Sequence, residues 1–306
     1  MSELIKIINE LYESNFNIIK KSAVSSSHWN KYTEKLSVTK TKNDYIIASY
    51  GLANFINKNI YSSIKSIPRK FFLFYLFFIY IKNIKIFQNI SKVCNQTNIL
   101  IEFDQIKHGI ILKILKKYIN FYKNKFICII GDGHGFCGSL IKKHYPESKI
   151  IFINLGRNLF LDAYYVNKSF NSTNSLLLDK DKKKFSNINN YDFIFINAEN
   201  FELISELPIY LFINIASMQE MDNDTISKYF YYIRKNPNTE YFYSCNRIRK
   251  ILPDSTSVIF DKYPWLPNDK VLVEEICNWY KKYPISRYPF LKNFDGLIKH
   301  KLIKLK

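Results

Sequence analysis

The sequence predicts an α/β fold with a doubly wound, mostly parallel sheet, and two observations carry this prediction. Apolar runs of β-branched and aromatic residues, the first from Phe126 to Ile130, contain no polar break, which is typical of strands buried on both faces of a parallel sheet. Such runs alternate with helix-like segments as far as Arg247, which is the pattern of repeated βαβ units. Because 306 residues exceed the usual size of one compact domain, we predict an N-terminal helical region at 1–120 and the α/β domain at 121–306.

The net charge and the cysteine content indicate which kinds of partner and which redox environment suit this chain. A formal net charge of +19 suits an anionic partner such as nucleic acid, a phosphorylated sugar carrier or an acidic membrane surface. The excess of Lys beside abundant Ile, Asn, Phe and Tyr equally fits an AT-rich genome. Five scattered cysteines form no Cys-x-x-Cys pair and have no His at ligand spacing, so the sequence indicates no disulfide framework and no structural zinc, and it predicts a reducing cytoplasm. No carboxylate cluster is spaced for magnesium, so we predict no metal site.

The first 65 residues alternate polar and apolar positions in a helical pattern, with a predicted break at Ser25 to Tyr32. Charges interrupt the apolar residues of MSELIKIINELYES, so we predict no secretory signal there. Trp29, within the break, is either a stacking platform for a ring or an ordinary packing residue.

An aromatic run, FFLFYLFFIYI from Phe71 to Ile81, is the segment that most resembles a membrane helix. Its 11 residues lie between Lys70 and Lys82, whereas a spanning helix needs about 20. We therefore predict a helix packed in the protein interior. The alternative is an interfacial segment on an acidic membrane surface, because aromatic residues flanked by lysines also lie at headgroup level.

The segment before the first strand predicts an amphipathic helix that lies on the sheet. Ile106, Ile110, Ile114 and Tyr118 recur at four-residue intervals, which places them on one helix face. His108 in this segment is interpreted as a packed or solvated residue rather than a catalytic one.

The turn after the first predicted strand, GDGHGFCG, is the most informative stretch. Gly131, Gly133 and Gly135 occupy alternate positions, and without Cβ atoms the backbone there can turn sharply and approach a bound molecule. Between a strand and a helix, this turn predicts a nucleotide or nucleoside pocket at the carboxyl edge of the sheet. The G-x-G-x-G spacing disfavours a nicotinamide-dependent oxidoreductase, and the remaining alternative is a tight turn that binds nothing.

The next two predicted strands end in polar residues at the same edge. The strand Ser148 to Leu155 ends at Asn154, where doubly wound folds contact ribose hydroxyls, and an amide can both donate to and accept from a hydroxyl. The strand in YDFIFINAEN ends at Asn197, where such a sheet holds adenine. The polar stretch 171–190 between them is predicted to be a solvated loop.

Two further strands complete the pattern. The fourth runs from about Tyr210 into Ser217, and Glu220 follows it at the edge where the reacting groups of these folds gather. A carboxylate there can take a proton from a substrate hydroxyl, or it is simply a surface acid. The fifth, TEYFYSCNR, ends in Asn246 and Arg247, which either contact hydroxyl and phosphate groups of a sugar or hold the loop.

With these residues in view, the chain resembles the bacterial sugar O-methyltransferases, a branch of the class I S-adenosylmethionine-dependent methyltransferases. The likeness covers about Lys125 to Tyr283 and implies a seven-stranded Rossmann-like methyltransferase sheet with S-adenosylmethionine as cofactor. It rests on IIGDGHGF (Ile129–Phe136), INLGRNLFL (Ile153–Leu161), INIASMQEM (Ile213–Met221), YFYSCNR (Tyr241–Arg247) and, more loosely, YPW (Tyr263–Trp265).

The resemblance also implies a role for each candidate residue. Glu220 is the expected base that assists methyl transfer to a sugar hydroxyl, and His134 is the second candidate. The implied cofactor-binding residues are Gly131, Asp132, Gly133, Gly135, Phe136, Asn154, Leu155, Asn197, Ala198, Glu199, Ser217 and Met218. The implied substrate-binding residues are Gln219, Asn246, Arg247 and Trp265. Two positions depart from the class I pattern, because many of those enzymes carry an acid where this chain has Ile129 and Asn154.

Two other classes of protein stay open. A binding module would keep the fold without turnover, and the two missing acids favour it. A nucleic-acid methyltransferase would use the +19 charge to bind the phosphate backbone. Against this class, Ser217 to Met221 stand where such enzymes carry an Asn/Asp-Pro-Pro-Tyr/Phe motif for a flipped base. We expect a small-molecule or carrier-linked sugar as substrate, and the sequence leaves the oligomeric state open.

Overall fold

The computed structural model describes residues 2–16, 25–33, 36–42, 44–48, 67–121, 125–170, 173–179, 187–285 and 288–305. Part of the predicted solvated loop, at 171–172 and 180–186, lies outside the described residues. The α-helices within these ranges are α1 (Glu3–Phe16), α2 (Ser27–Thr33), α3 (Ile67–Leu76), α4 (Ile84–Thr97), α5 (Phe103–Leu115), α6 (Phe136–His144), α7 (Gly156–Ser169) and α8 (Asn223–Lys235). Helix α3 continues directly into a π-helical turn, Phe77–Ile81.

The strands of the described residues are β1 (Ser37–Lys40), β2 (Tyr45–Ala48), β3 (Phe126–Ile130), β4 (Lys149–Asn154), β5 (Ser175–Leu178), β6 (Phe193–Asn197), β7 (Ile209–Ile215), β8 (Tyr241–Arg247), β9 (Arg249–Ile251), β10 (Ser257–Ile259), β11 (Lys270–Ile276), β12 (Lys282–Pro284), β13 (Leu291–Asn293) and β14 (Ile298–Lys304). Short 3-10 helices cover Ile188–Asn190, Ala198–Glu206, Met218–Glu220, Phe260–Lys262 and Asn278–Tyr280.

Eight of these strands form one sheet in the order β11-β14-β8-β7-β3-β4-β6-β5. Every neighbouring pair is parallel except the two that involve β14, which runs antiparallel to β8 and β11. The chain leaves β3 towards β4 on one side and later returns to the other side at β7, so the strand order reverses at β3. The predicted α/β class with a doubly wound, mostly parallel sheet is confirmed, and this sheet has one strand more than the seven expected.

The sheet separates two hydrophobic cores because successive side chains of a strand point to opposite faces. Ile127 and Ile129 of β3 face a core that also contains buried residues of α1 and of α3 to α7. Cys128 and Ile130 face a second core, which is closed by α8 and by the 3-10 helices at 198–206 and 260–262. The N-terminal helices therefore share a core with the sheet, and the boundary at residue 120 stays a prediction.

The N-terminal region is not purely helical, which corrects the sequence prediction. β1 and β2 form an antiparallel hairpin, closed where the Thr41 N–H donates to the Asp44 carbonyl at 2.8 Å. The two strands, SVTK and YIIA, are rich in the β-branched residues that suit a pleated surface. The predicted break at Ser25 to Tyr32 itself contains α2.

The extra edge strand β5 is a second correction, since SLLL lies inside the stretch that was predicted to be a loop. It pairs in parallel with β6, from Ser175 opposite Phe193 to Leu178 opposite Ile196. The polar residues around it conceal the strand in the sequence, and the open edge of β6 provides its backbone partners.

The aromatic helix is the third correction, because only one of its faces is interior. Leu73, Leu76 and Ile81 are buried, whereas Phe71 and Phe74 are 69% and 60% exposed. The run is apolar on every side, but a helix lying on a core can bury only a stripe of its surface. No helix in the described ranges combines the length and the apolar character needed to cross a bilayer.

The amphipathic stripe before the first strand is confirmed over its first half. Ile106 and Ile110 of α5 are buried. The helix ends at Leu115, so Tyr118 lies beyond it and is 43% exposed.

Candidate functional site

A cavity of about 370 Å³ opens at the carboxyl edge of the sheet. Gly131 to His134, which follow β3, and Ile215 to Ser217, which follow β7, form one side of it, and Asn154 at the end of β4 lies beside them. The cavity therefore sits where the strand order reverses, which is the usual position of ligand sites in open α/β sheets. Ala216 there has a φ of 57°, a left-handed conformation that is uncommon outside Gly and recurs at functional sites.

The three glycines of the loop after β3 serve different purposes. All have positive φ, and a Cβ on Gly131 would lie 2.0 Å from the Ser217 Oγ, while one on Gly135 would lie 2.7 Å from the Asp162 carbonyl oxygen. A Cβ on Gly133 would meet no atom within 4 Å. Gly131 and Gly135 are thus required by the packing of the chain itself, whereas Gly133 borders the open space of the cavity.

Two carboxylates, those of Asp132 and Asp162, hold this loop in place through hydrogen bonds. Asp132 accepts hydrogen bonds from the Cys137 and Gly138 N–H groups, at 3.2 and 2.9 Å, in the first turn of α6. Asp162 accepts from the Gly135 N–H at 2.7 Å and from the Asn154 Nδ2 at 2.9 Å. The loop, α6 and the end of β4 are therefore tied together by side-chain oxygens.

Burial raises the proton affinity of both carboxylates. Burial raises the pKa of Asp132 to about 6, although the N–H groups of Gly138 and Cys137 oppose the increase. Burial, and next the neighbouring charge of Asp132, raise the pKa of Asp162 well above its usual range. Asp162 was not predicted from the sequence, yet it bonds directly to Asn154, one of the predicted site residues.

The opposite side of the cavity comes from the N-terminal helices and the C-terminal segment. Its polar lining includes Arg69 of α3 and the residues Glu102, Asp104, Gln105, Lys107 and His108 at the start of α5. Its aromatic lining consists of Trp29, Phe103, Phe136, Tyr283 and Phe294.

A buried ammonium group fixes the start of α5. The Lys107 Nζ lies 2.8 Å from the Asp104 Oδ1 and 3.0 Å from the Tyr280 hydroxyl. The attraction of Lys107 holds the pKa of Asp104 below its usual value. The Asp104 side chain is 66% exposed, so it presents a carboxylate to the solvent side of the cavity.

Besides the ion-paired Arg69 and Glu102, three cavity-lining side chains have buried polar atoms with no hydrogen-bond partner among the described residues: the Nδ1 of His108, the Nε2 of His134 and the Oδ1 of Asn158. Burial lowers the pKa of His134 to about 4, and burial together with the charge of Lys107 lowers the pKa of His108 to about 3. Both imidazoles are therefore neutral near pH 7. Orphaned polar atoms are costly in a folded protein and call for a partner, so they mark the part of the cavity where a polar ligand fits.

Glu220, the predicted base, lines the same cavity but already has charged neighbours. Its Oε1 lies 2.8 Å from the Lys250 Nζ and 3.4 Å from the His28 Nε2. Its backbone carbonyl also accepts a hydrogen bond from the Ser26 hydroxyl, which attaches the segment before α2 to the loop after β7.

A second, smaller cavity of about 30 Å³ adjoins the first. The two share Trp29, Gly131, Asn154 and Ser217 in their walls. The residues that line only the smaller one include Leu155, Ala198, Met221 and Tyr229.

The predicted site residues thus fall into two groups. Those that line one of the two cavities are Gly131, Asp132, Gly133, His134, Phe136, Asn154, Leu155, Ala198, Ser217 and Glu220. Those that line neither are Gly135, Asn197, Glu199, Met218, Gln219, Asn246, Arg247 and Trp265.

The residues of the second group make contacts within the protein. The Asn197 Oδ1 accepts the Glu199 N–H at 3.2 Å and so begins the 3-10 helix there. The Asn246 Oδ1 accepts the Gln219 N–H at 3.1 Å, and the Gln219 Oε1 accepts the Arg247 N–H at 2.8 Å, which fastens the end of β8 to the loop after β7.

The charged and aromatic members of that group are also engaged. The Arg247 guanidinium lies 2.8 Å from the Asp295 carboxylate. The indole of Trp265 stacks on Phe242, and its Nε1 donates to the Phe260 carbonyl at 3.0 Å. The predicted substrate-binding roles of Gln219, Asn246, Arg247 and Trp265 stay predictions.

The sequence interpretation missed the polar start of α5, although a signal was present. No Asp or Glu occurs from Tyr45 to Ile101, and Glu102, Asp104, Gln105, Lys107 and His108 then follow within seven positions. Such a sudden polar cluster at the beginning of an apolar helix indicates a site rather than a core helix.

The comparisons with known proteins place no family name on this chain. No family model matches it, and no curated protein sequence matches it. The M. capricolum TrmK structure, solved with S-adenosyl-homocysteine, is 12% identical over 63% of this chain, with a TM-score of 0.38, and the match spans 66% of the TrmK chain.

Two further solved structures are similar at the same low level. The cyclopropane synthase MmaA2 from Mycobacterium tuberculosis is 10% identical over 65% of this chain and 85% of its own, with a TM-score of 0.42. MtNAS, in complex with MTA and tNA, is 11% identical over 99% of this chain and 97% of its own, with a TM-score of 0.40. These scores assign neither a family nor an activity.

Proposed function

We propose that this protein is an S-adenosylmethionine-dependent O-methyltransferase that acts on a hydroxyl of a sugar, in the synthesis of a glycan or polysaccharide. One observation carries the proposal: the backbone at Gly133 borders open space, at the carboxyl edge of β3, where the strand order reverses. A nucleoside-containing ligand is bound at this position in doubly wound folds.

The residues around the cavity fit such a cofactor. The loop from Gly131 to Gly135 offers backbone groups without an intervening side chain, and α6 begins directly after it. Asn154 lines both cavities, and Leu155 and Ala198 offer apolar surface in the smaller one, so these residues would adjoin the nucleoside part of the cofactor. When bound, the cofactor supplies an electrophilic methyl group on a sulfonium.

The side of the cavity opposite the glycine loop, formed by the N-terminal helices and the C-terminal segment, suits a sugar acceptor. Trp29, Tyr283 and Phe294 provide aromatic surface beside the hydrogen-bonding groups of Gln105 and His108. A sugar ring has both apolar C–H faces and hydroxyl groups that donate and accept, so it matches a lining of this mixed kind.

The geometry favours His134 over Glu220 as the base that takes the hydroxyl proton. The Nε2 of His134 is buried without a hydrogen-bond partner among the described residues, and the imidazole is neutral near pH 7, so this nitrogen can accept a proton. The charge of Glu220 is already balanced by Lys250. Glu220 is retained as the second candidate, with a role in holding Lys250 and the segment before α2.

Titration calorimetry with S-adenosylmethionine is the primary test. We expect one site per chain, with competition by S-adenosylhomocysteine. The absence of binding would remove the proposal as a whole, and binding without any methyl transfer would leave a cofactor-binding module.

The acceptor is identified by mass spectrometry of cell-surface glycans from cells with and without the gene. A sugar residue should be lighter by about 14 mass units, the CH₂ of one methylation, when the gene is absent. If the same mass difference is found on RNA or DNA and the glycans are unchanged, the acceptor is a nucleic acid and not a sugar.

A further inference from the structure

The outer face of α3 and its π-helical continuation is an unusual surface for a folded chain. Phe71, Phe74, Tyr75, Phe78 and Ile79 lie along one side of these turns, and each is between 48% and 69% exposed. We call these five side chains the α3 face. Contiguous exposed aromatic side chains of this kind mark interaction sites.

Basic side chains frame this surface. Lys70 and Lys82, at the two ends of the α3 face, are exposed. The whole stretch from Tyr45 to Ile101 contains no Asp or Glu, and its basic residues are Lys58, Lys65, Arg69, Lys70, Lys82, Lys85 and Lys92. An aromatic stripe with lysines at both ends and no acids complements the interface of an anionic bilayer, where aromatic rings lie at headgroup level.

The same charges disfavour a second copy of this chain as the occupant. A symmetric contact through the α3 face would bring two acid-free basic stretches together. Like charges placed opposite each other in an interface repel. An anionic lipid surface neutralises them instead.

The inner side of the same helix belongs to the candidate site. Arg69 lines the cavity and forms an ion pair with Glu102, and Phe72 packs against Phe103 with ring centroids 6.5 Å apart. The α3 face and the cavity are therefore separated by about one helix diameter, roughly 10 Å.

We infer that the α3 face docks the protein on an anionic lipid surface, with α3 lying in the interface. This orientation brings the cavity close to the lipid headgroups. If the proposed function holds, on which this step rests, the acceptor belongs to the class of lipid-linked sugars.

Co-sedimentation of the full chain with vesicles tests the docking. Wild-type protein should sediment with vesicles of phosphatidylcholine and phosphatidylglycerol roughly tenfold more than with phosphatidylcholine alone, and added salt should weaken the binding. The combined change Phe71→Ser, Phe74→Ser and Phe78→Ser should remove the binding, and Lys70→Glu with Lys82→Glu should remove its preference for the anionic lipid.

Matched controls separate docking from general stickiness and from misfolding. Tyr231→Ser and Ile251→Ser change side chains that are each 60% exposed elsewhere on the molecule, and they should leave vesicle binding unchanged. The thermal midpoint of each variant, together with its affinity for S-adenosylmethionine, checks that the fold is intact.

The inference is overturned if wild-type protein does not sediment with anionic vesicles, or if the triple Ser variant sediments equally well. A concentration-dependent dimer that the triple variant abolishes, without vesicle binding, would instead make the α3 face a self-association surface. Vesicle binding requires no cofactor, so docking without S-adenosylmethionine binding would refute the proposed function alone, and the reverse result would refute the docking alone.

Discussion

The two sides of the glycine loop differ in how their polar groups are satisfied. Below the loop, Asp162 accepts from the Gly135 N–H and the Asn154 amide, and Asp132, which also borders the cavity, turns its oxygens to the Cys137 and Gly138 N–H groups. Facing the cavity, His108 and His134 each keep a buried ring nitrogen with no hydrogen-bond partner in the part of the chain that the structure describes. The lower side builds the shape of the loop and the upper side is free to bind and react, so changes below should cost stability and changes above should cost binding or rate.

The largest effect is expected from Gly133→Val, which places a branched side chain in the open space above the loop. Calorimetry should detect a loss of affinity for S-adenosylmethionine of at least about a hundredfold, or about 2.7 kcal/mol. Gly296→Val is the matched control, because Gly296 also has a φ near 90° and open space, but lies outside the cavity. Equal losses in both variants would mean that backbone strain, rather than the filled space, is responsible.

The next effect is expected from His134→Gln, which keeps a polar side chain but removes the imidazole. The rate of methyl transfer should fall by about a hundredfold, within the range of general base catalysis, with cofactor affinity nearly unchanged. Glu220→Gln, measured in parallel, should reduce the rate less. If Glu220→Gln has the larger effect on the rate, the base is Glu220, and His134 is not the reacting group on the cavity side of the loop.

Below the loop, Asp162→Asn should act on stability. An amide in this place cannot accept from both the Gly135 N–H and the Asn154 Nδ2, so a buried donor loses its partner at a cost of about 1–3 kcal/mol. Chemical denaturation measures the loss. The same substitution at Asp295, whose side chain is 97% exposed, should leave the free energy of unfolding nearly unchanged.

The smallest expected effect is a difference in how the two sides respond to pH. The folded pKa of His134, about 4, lies below its unfolded value of about 6.5, so its contribution to stability is complete above pH 6.5 and is lost as the pH falls towards 4. The raised pKa values of Asp132 and Asp162 give the opposite pH dependence. Their contribution to stability is complete below about pH 3.9 and is lost as the pH rises, and for Asp132 this loss passes through the folded pKa of about 6.

Unfolding at pH 4.5 and pH 7 therefore separates the two sides. The stability difference between wild type and His134→Gln should shrink on acidification, and that between wild type and Asp162→Asn should widen. Parallel behaviour of the two variants would contradict the division between the sides.

The sequence revealed the parts of the site that are local in the chain. The strand, the alternating glycines and the helix of residues 126–144 are adjacent, so their spacing alone predicts the loop and its position at the sheet edge. Asp162 escaped notice because it meets Gly135 only when α7 packs beside the loop, 27 residues later. The polar start of α5 reaches the cavity only when that helix packs on the core that it shares with the sheet, and no local spacing encodes that approach.

The ends of β7 and β8 show where the sequence alone leaves two uses of a polar residue open. Gln219, Asn246 and Arg247 follow buried strands at the correct edge, which suggests ligand contacts when each strand is considered alone. In the folded chain, the Asn246 side chain accepts from the Gln219 backbone N–H and the Gln219 side chain accepts from the Arg247 backbone N–H, which connects the two strand ends. A polar residue at a strand end can thus serve the neighbouring strand, and one sequence does not distinguish the two uses.

The position of Trp29 gives the molecule a built-in optical reporter. The chain has three tryptophans; Trp29 stands in the wall shared by both cavities, while Trp265 and Trp279 pack against Phe242 and His300. A molecule that fills either space must change the surroundings of one indole and leave the other two as they are. Its arrival should therefore be visible as a shift or quenching of intrinsic emission, without any label attached to the protein.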